Sequence, residues 1–152
     1  MKPVYTTLIL VLLGLTLLAG LAATAYAGTF SRYWADDYCY AAVYHRDGLL
    51  KGALYWYQHG GNRFAAFIAV GLSEMTGQVA VSLLPALLLA GWAAAAYFAL
   101  NALTRLLGWQ VSRLRMVTAA LGWVFFAAYT SPDRLQTLYW RMGLLHYSLP
   151  LV

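Results

Sequence analysis

From Tyr5 to Ala27 the chain runs for 23 residues without one charged side chain. As a helix that run reaches about 34 Å at ~1.5 Å per residue, enough to cross a hydrocarbon core of roughly 30 Å. The rest of the sequence follows suit: 62% of residues are hydrophobic and only 10% are charged, against about 25% charged in soluble domains. A length of 152 residues would suit one soluble domain. Here it is taken up by membrane spans, and in lipid the backbone amides of a span must be satisfied within a helix. The sequence therefore predicts an all-α, polytopic transmembrane helix bundle, a single membrane domain over residues 1–152. Lys2 precedes the first span and keeps the N-terminus cytoplasmic, which places the residues after Gly28 outside. The ending Ala25-Tyr26-Ala27-Gly28 also fits a signal-peptidase site, so a cleaved leader stands beside a retained span over 5–27.

Two further runs read as spans, about 81–104 and 116–130, with a fourth starting near residue 146. Arg105, Arg113 and Arg115 cluster between the second and third spans, in a loop that the positive-inside tendency assigns to the cytoplasm. Residues 28–80 form the external loop. Within it Gly48 interrupts a helix that begins near Asp37. Beyond the glycine, Leu50, Ala53, Leu54 and Tyr57 recur at helical spacing opposite Lys51, Tyr55 and Gln58, the pattern of an amphipathic helix on a membrane surface. The turn His59-Gly60-Gly61-Asn62-Arg63 follows, and 64–80 reads as a second interfacial helix, too polar at Ser73, Glu74, Thr76 and Gln78 for a comfortable span, with a short span as the alternative. Ser131-Pro132-Asp133 is a helix start, with serine as the cap. The chain closes on an apolar stretch, Ser148-Leu149-Pro150-Leu151-Val152, which reads as the N-terminal piece of a longer protein.

Several chemistries are disfavoured. The net charge is +5, but the basic residues are scattered and form no nucleic-acid patch. Cys39 is the only cysteine, so there is no intrachain disulfide, and no His/Cys set has zinc spacing. The spans carry almost no ionisable residues, whereas transport pathways usually place them there. Asp36, Asp37, His45, His59, Arg63, Glu74, Arg134, Arg141 and His146 all fall on the outer side instead. Of five acidic residues, two are adjacent: Trp34-Ala35-Asp36-Asp37-Tyr38-Cys39-Tyr40. Neighbouring carboxylates raise each other's pKa and suit a site that handles protons, a metal or a sugar hydroxyl.

A first span, an outer loop opening on Asp36-Asp37 with Tyr40 shortly after, and surface helices before the next span resemble the GT-C superfamily of membrane glycosyltransferases. Gly61-Asn62-Arg63-Phe64 and Tyr139-Trp140-Arg141-Met142-Gly143 resemble stretches of polytopic bacterial membrane proteins related to that superfamily. The resemblance implies transfer of a sugar from a polyprenyl-phosphate donor to an acceptor on the outer face of the cytoplasmic membrane, with membrane lipid as the surrounding partner. It makes Asp36 the general base. Asp37 positions the acceptor, helps to hold a divalent metal, or caps the helix. Arg63, with Arg141 second, faces the leaving phosphate, and His59 and Tyr40 complete the substrate-binding set. Each role has a structural competitor: a capping aspartate, an arginine anchored at headgroups, a loop histidine, an interface belt at Trp140-Arg141. Two other readings stand beside the enzyme. One is a transporter or flippase subunit. The other is a non-enzymatic membrane assembly protein that packs through Gly91, Ala93, Ala94, Ala95 and Ala96.

Overall fold

The computed structural model describes residues 3–151, and they are helical with no strands. Lys2 and Val152, on which part of the topology reading rests, lie outside the described residues. Five helices carry most of the chain: α1 Pro3–Gly28, α2 Asp37–His59, α3 Phe64–Glu74, α4 Gln78–Leu106 and α5 Arg113–Thr130. Short turns then close it: a wide π turn Leu135–Tyr139, one α turn Arg141–Gly143, a second π turn Leu144–Ser148 and a 3-10 turn Leu149–Leu151.

Helices α1, α4 and α5 pack together as a three-helix bundle. Thr118 donates to the Leu10 carbonyl, and Gly20 lies against Phe125, so α1 and α5 run parallel. Gly28 lies against Pro85 and Gln78 donates to the Ser31 carbonyl, so α4 runs antiparallel to α1. This arrangement gathers the acids at one end. Asp36, Asp37, Asp47, Glu74 and Asp133 all belong to the end of the bundle where α1 and α5 finish and α4 begins. Arg105, Arg113 and Arg115 belong to the opposite end.

Two helices, α1 from Val4 and α4, are long and apolar enough to cross a membrane. Few of their residues are buried, and Leu8, Leu12 and Leu15 on α1 and Leu87 and Phe98 on α4 are exposed. The core helix of a soluble protein would instead be largely covered. The span predicted over 81–104 thus begins three residues earlier, at Gln78, because Gly77 turns the chain directly from α3 into α4. The third run, over 116–130, is the 18-residue α5, whose first turn carries Arg113 and Arg115. Where a fourth span was expected near 146, the described residues form the short turns 144–151.

The loop helices depart from the sequence reading in detail. The interruption at Gly48 is present, with φ 76 and ψ 178, a conformation essentially restricted to glycine. Of the stripe Leu50, Ala53, Leu54 and Tyr57, only Ala53 is buried; past the kink Gly52 lies against Tyr44 from the first half of α2, and the larger three stay exposed. The helix predicted over 64–80 stops at Glu74, and Ser73 and Glu74 at its end are buried. Ser73 donates to the Val70 carbonyl, and Tyr44 donates to the Phe67 carbonyl at 2.5 Å, locking α2 to α3. At the predicted helix start, Ser131 bonds Thr137, and it is Asp133 that accepts from the Gln136 amide. The helix expected beyond it breaks at Trp140, which is extended with ψ 117. Gly143 allows the fold-back, because a Cβ there would collide with the Gln136 carbonyl.

Candidate functional site

The acidic pair opens α2, and its two carboxylates go to different places. Trp34 to Asp37 forms a tight turn: the Asp37 amide donates to the Trp34 carbonyl at 3.0 Å, and the Trp34 amide donates back to Asp37 Oδ2 at 2.9 Å. Between them Ala35 takes a left-handed φ of 48, unusual for a residue with a Cβ. Asp37 is fully buried and Asp36 is exposed. Asp36 is the N-cap residue of α2, but its side chain accepts no capping bond. Its carboxylate has no hydrogen-bond partner among the described residues.

Beneath the turn lies a buried ion-pair network. Arg141, its side chain wholly inaccessible, donates from Nε to Asp37 Oδ1 at 3.1 Å and from Nη2 to the Asp37 carbonyl at 3.0 Å. Its Nη1 donates to Glu74 Oε2. The guanidinium also lies 4.5 Å from the centre of the Tyr33 ring. Glu74 Oε1 takes a 2.8 Å bond from the Tyr33 hydroxyl and a 3.1 Å contact from His45 Nε2. Four segments far apart in sequence are joined here: the 29–36 loop, α2, the end of α3 and the turn after Trp140. Burial pushes the Asp37 carboxyl above its ordinary range, against the Trp34 amide and Arg141, which pull it down. Burial also opposes the charge on Arg141, but Glu74 and Asp37 outweigh it and hold the guanidinium above its usual value. Burial and the Glu74 bond push the Tyr33 hydroxyl up to about 12, so it stays a donor.

Above this network, open to solvent, is a pocket of about 390 Å³. Asp36, Tyr40, Arg63, Trp140, His146 and Tyr147 line it, with the Gly60–Asn62 loop. Tyr40 is held in place by stacking on Trp56 at 4.0 Å and on Phe67 at 6.1 Å. Its hydroxyl is pushed up, by burial first and then by the nearby Asp36, so it remains protonated and able to donate. Arg63 lies over the Tyr147 ring at 4.7 Å and makes no ion pair among the described residues. The Trp140 indole N–H is buried without a partner among the described residues. His146 Nδ1 lies 2.9 Å from the Met142 carbonyl, which can only accept, so the proton is on Nδ1 and Nε2 carries the lone pair of the neutral ring. Burial lowers its pKa and favours that neutral form.

The residues singled out in the sequence are thus divided. Asp36, Tyr40 and Arg63 meet in one pocket. Asp37 and Arg141 form an ion pair below it, with no exposed surface to offer a ligand. His59 is turned elsewhere, stacked on Tyr55 at 4.4 Å with Nδ1 on the Tyr55 carbonyl, and it does not line the pocket. A divalent metal shared by the acidic pair does not fit, because the Asp37 oxygens are already taken by Arg141 and the Trp34 amide. Among the described residues no other group of three His, Cys, Asp or Glu gathers as a metal site. His146, Trp140 and Tyr147 were not selected from sequence, since nothing local distinguishes them from interface residues. Glu74 pairs with Arg141, 67 positions away, and only the fold brings the two together.

A larger cavity, about 590 Å³ between α4 and α5, is lined by Ala95, Ala96, Ala99, Leu103, Trp123 and neighbours and holds no ionisable group. The chemistry therefore belongs to the smaller pocket. No protein-family model, curated protein or solved structure matches the chain.

Proposed function

We propose that this chain carries the acceptor-activating and phosphate-facing groups of a GT-C-like membrane glycosyltransferase, which takes a sugar from a polyprenyl-phosphate donor on the outer face of the cytoplasmic membrane. The observation that carries the reading is the meeting, in one solvent-open pocket, of an unpaired carboxylate, Asp36, with an arginine that has no ion pair among the described residues, Arg63. The pocket lies at the end of the bundle that gathers the acids, the end that this reading places outside; Arg105, Arg113 and Arg115 cluster at the other.

The groups match what the transfer needs. An acceptor hydroxyl loses its proton to Asp36 as its oxygen forms a bond to the anomeric carbon. The bond from that carbon to the phosphate oxygen breaks, and the electron pair leaves with the lipid phosphate. Negative charge grows there, and a guanidinium that can engage two phosphate oxygens stabilises it more in the transition state than in the ground state. Tyr40 supplies a donor, and the aromatic faces of Trp140 and Tyr147 suit a sugar ring.

Asp36→Asn tests this. In membranes containing the protein, transfer from a polyprenyl-phosphate sugar is expected to be lost while the variant still fractionates as an integral membrane protein. Wild-type transfer in that variant would remove Asp36 as the base.

A further inference from the structure

Arg141 looks from sequence like a second phosphate ligand, but its geometry points elsewhere. Its side chain has no accessible surface, and every guanidinium nitrogen is engaged, Nε and Nη2 by Asp37 and Nη1 by Glu74, while the group lies over the Tyr33 ring. None of these contacts opens into the pocket. What Arg141 grips is the last residue of the Trp34–Asp37 turn, by both side chain and main chain. That turn is hooked at both ends by the reciprocal Trp34–Asp37 bonds, and Asp36 is the residue carried between the left-handed Ala35 and the clamped Asp37. A second contact reinforces the grip: the Trp34 ring meets the edge of Trp140, the residue before Arg141, at 6.0 Å.

We infer that Arg141 is a positioning residue: through Asp37 it fixes the turn that presents the Asp36 carboxylate to the pocket, and Glu74 fixes Arg141 in turn. The inference rests on the reading of the pocket as a transfer site, and it assigns the buried pair a task within that site. Placement matters because a shift of about 1 Å in a reacting group can cost on the order of 10²-fold in rate. Lysine cannot replace the fork, since one ammonium cannot hold the Asp37 carboxylate, the Asp37 carbonyl and Glu74 in the same plane.

The test uses the whole protein in lipid nanodiscs and has two arms. In the first, a nitroxide is attached at Asp36→Cys in a Cys39→Ser background, with a control label at the exposed Lys51→Cys. Arg141→Lys and Asp37→Asn are expected to mobilise the label at 36 and leave the label at 51 unchanged. Val124→Ala, which weakens the bundle core on α5, serves as the comparator for general destabilisation and is expected to leave position 36 immobile. An unchanged spectrum at 36 in both network variants, or equal mobilisation by Val124→Ala, would overturn the inference. The second arm measures transfer from a polyprenyl-phosphate sugar. Arg141→Lys is expected to lower kcat by tenfold or more with the donor KM within about threefold, since uniform binding of the donor is untouched. A raised donor KM with kcat preserved would make Arg141 a phosphate ligand and overturn it. If the wild-type protein shows no transfer at all, the proposed function fails, and the spectroscopic arm still decides whether Arg141 holds the turn.

Discussion

Replacing Arg141 with methionine keeps a side chain of similar reach but strips two buried carboxylates, Asp37 and Glu74, of the cation they share. Asp37 would keep only the Trp34 amide, and Glu74 would keep the Tyr33 hydroxyl and the His45 contact. Breaking a buried ion pair from one side costs ~3–5 kcal/mol, because the remaining charge is stranded in a low-dielectric site. The surviving bonds put this case near the lower end. For a chain of 152 residues, ~3 kcal/mol corresponds to a fall in Tm of about 6–12 °C at ~2–4 °C per kcal/mol. Tryptophan fluorescence during heating in detergent at pH 7.5 measures it. The pH dependence has a defined sign. Burial already raises the Asp37 pKa above the ordinary carboxyl value, and loss of Arg141 raises it further. A carboxyl with a raised folded-state pKa contributes its stability fully below the unfolded value and loses it as pH rises through the folded value. The gap in Tm between wild type and Arg141→Met is therefore expected to narrow as the pH is lowered from 7.5 towards 4. A fall below about 2 °C at pH 7.5, or a gap that widens on acidification, would refute the reasoning and show that the pair is solvated.

Other substitutions probe the frame around the site. Gly48→Ala meets no neighbouring atoms, so its cost comes from the backbone at φ 76 and ψ 178 alone; a loss of ~1–3 kcal/mol is expected in thermal unfolding. Gly143→Ala drives a methyl group into the Gln136 carbonyl and should abolish the fold-back that buries Arg141, read as poor recovery of folded protein from size-exclusion chromatography. Tyr44→Phe removes the bond that joins α2 to the Phe67 carbonyl and should cost ~1 kcal/mol, read as a small drop in Tm. His146→Asn keeps a donor for the Met142 carbonyl but removes the Nε2 lone pair. Diethyl pyrocarbonate is expected to modify His146 in the wild-type protein at pH 7, and mass spectrometry should find that adduct missing from the variant.

Parts of this architecture were legible along the chain because they depend on local pattern. The uncharged run from Tyr5 and the alanine- and leucine-rich run ending near Thr104 gave two helices long enough to cross a membrane, since apolar length alone decides that property. Gly48 announced its own kink, and Asp36-Asp37 stood out as rare adjacent acids beside a turn. Other features were not legible, because packing decides them. Leu50, Leu54 and Tyr57 stay exposed, as an apolar face meant for a membrane surface would, but their spacing did not show that Gly52 and Ala53 pack inward. Polar residues at the end of α3 suggested an interface, yet Ser73 and Glu74 are buried because each finds a partner.

Pattern along the chain was enough to establish that this protein is helical, with two apolar segments long enough to cross a membrane, and that its few acids belong to one end. Composition and the order of charges along antiparallel helices are enough for that. Only the tertiary structure decided which acid is free and which is bound. Asp36 and Asp37 are chemically identical neighbours, and the difference between them is created by Arg141, 104 positions away, which takes Asp37 out of solvent and leaves Asp36 at the pocket. An ion pair of that span leaves no periodic trace in a single sequence, because its energy comes from burial and geometry that exist only once the chain has folded.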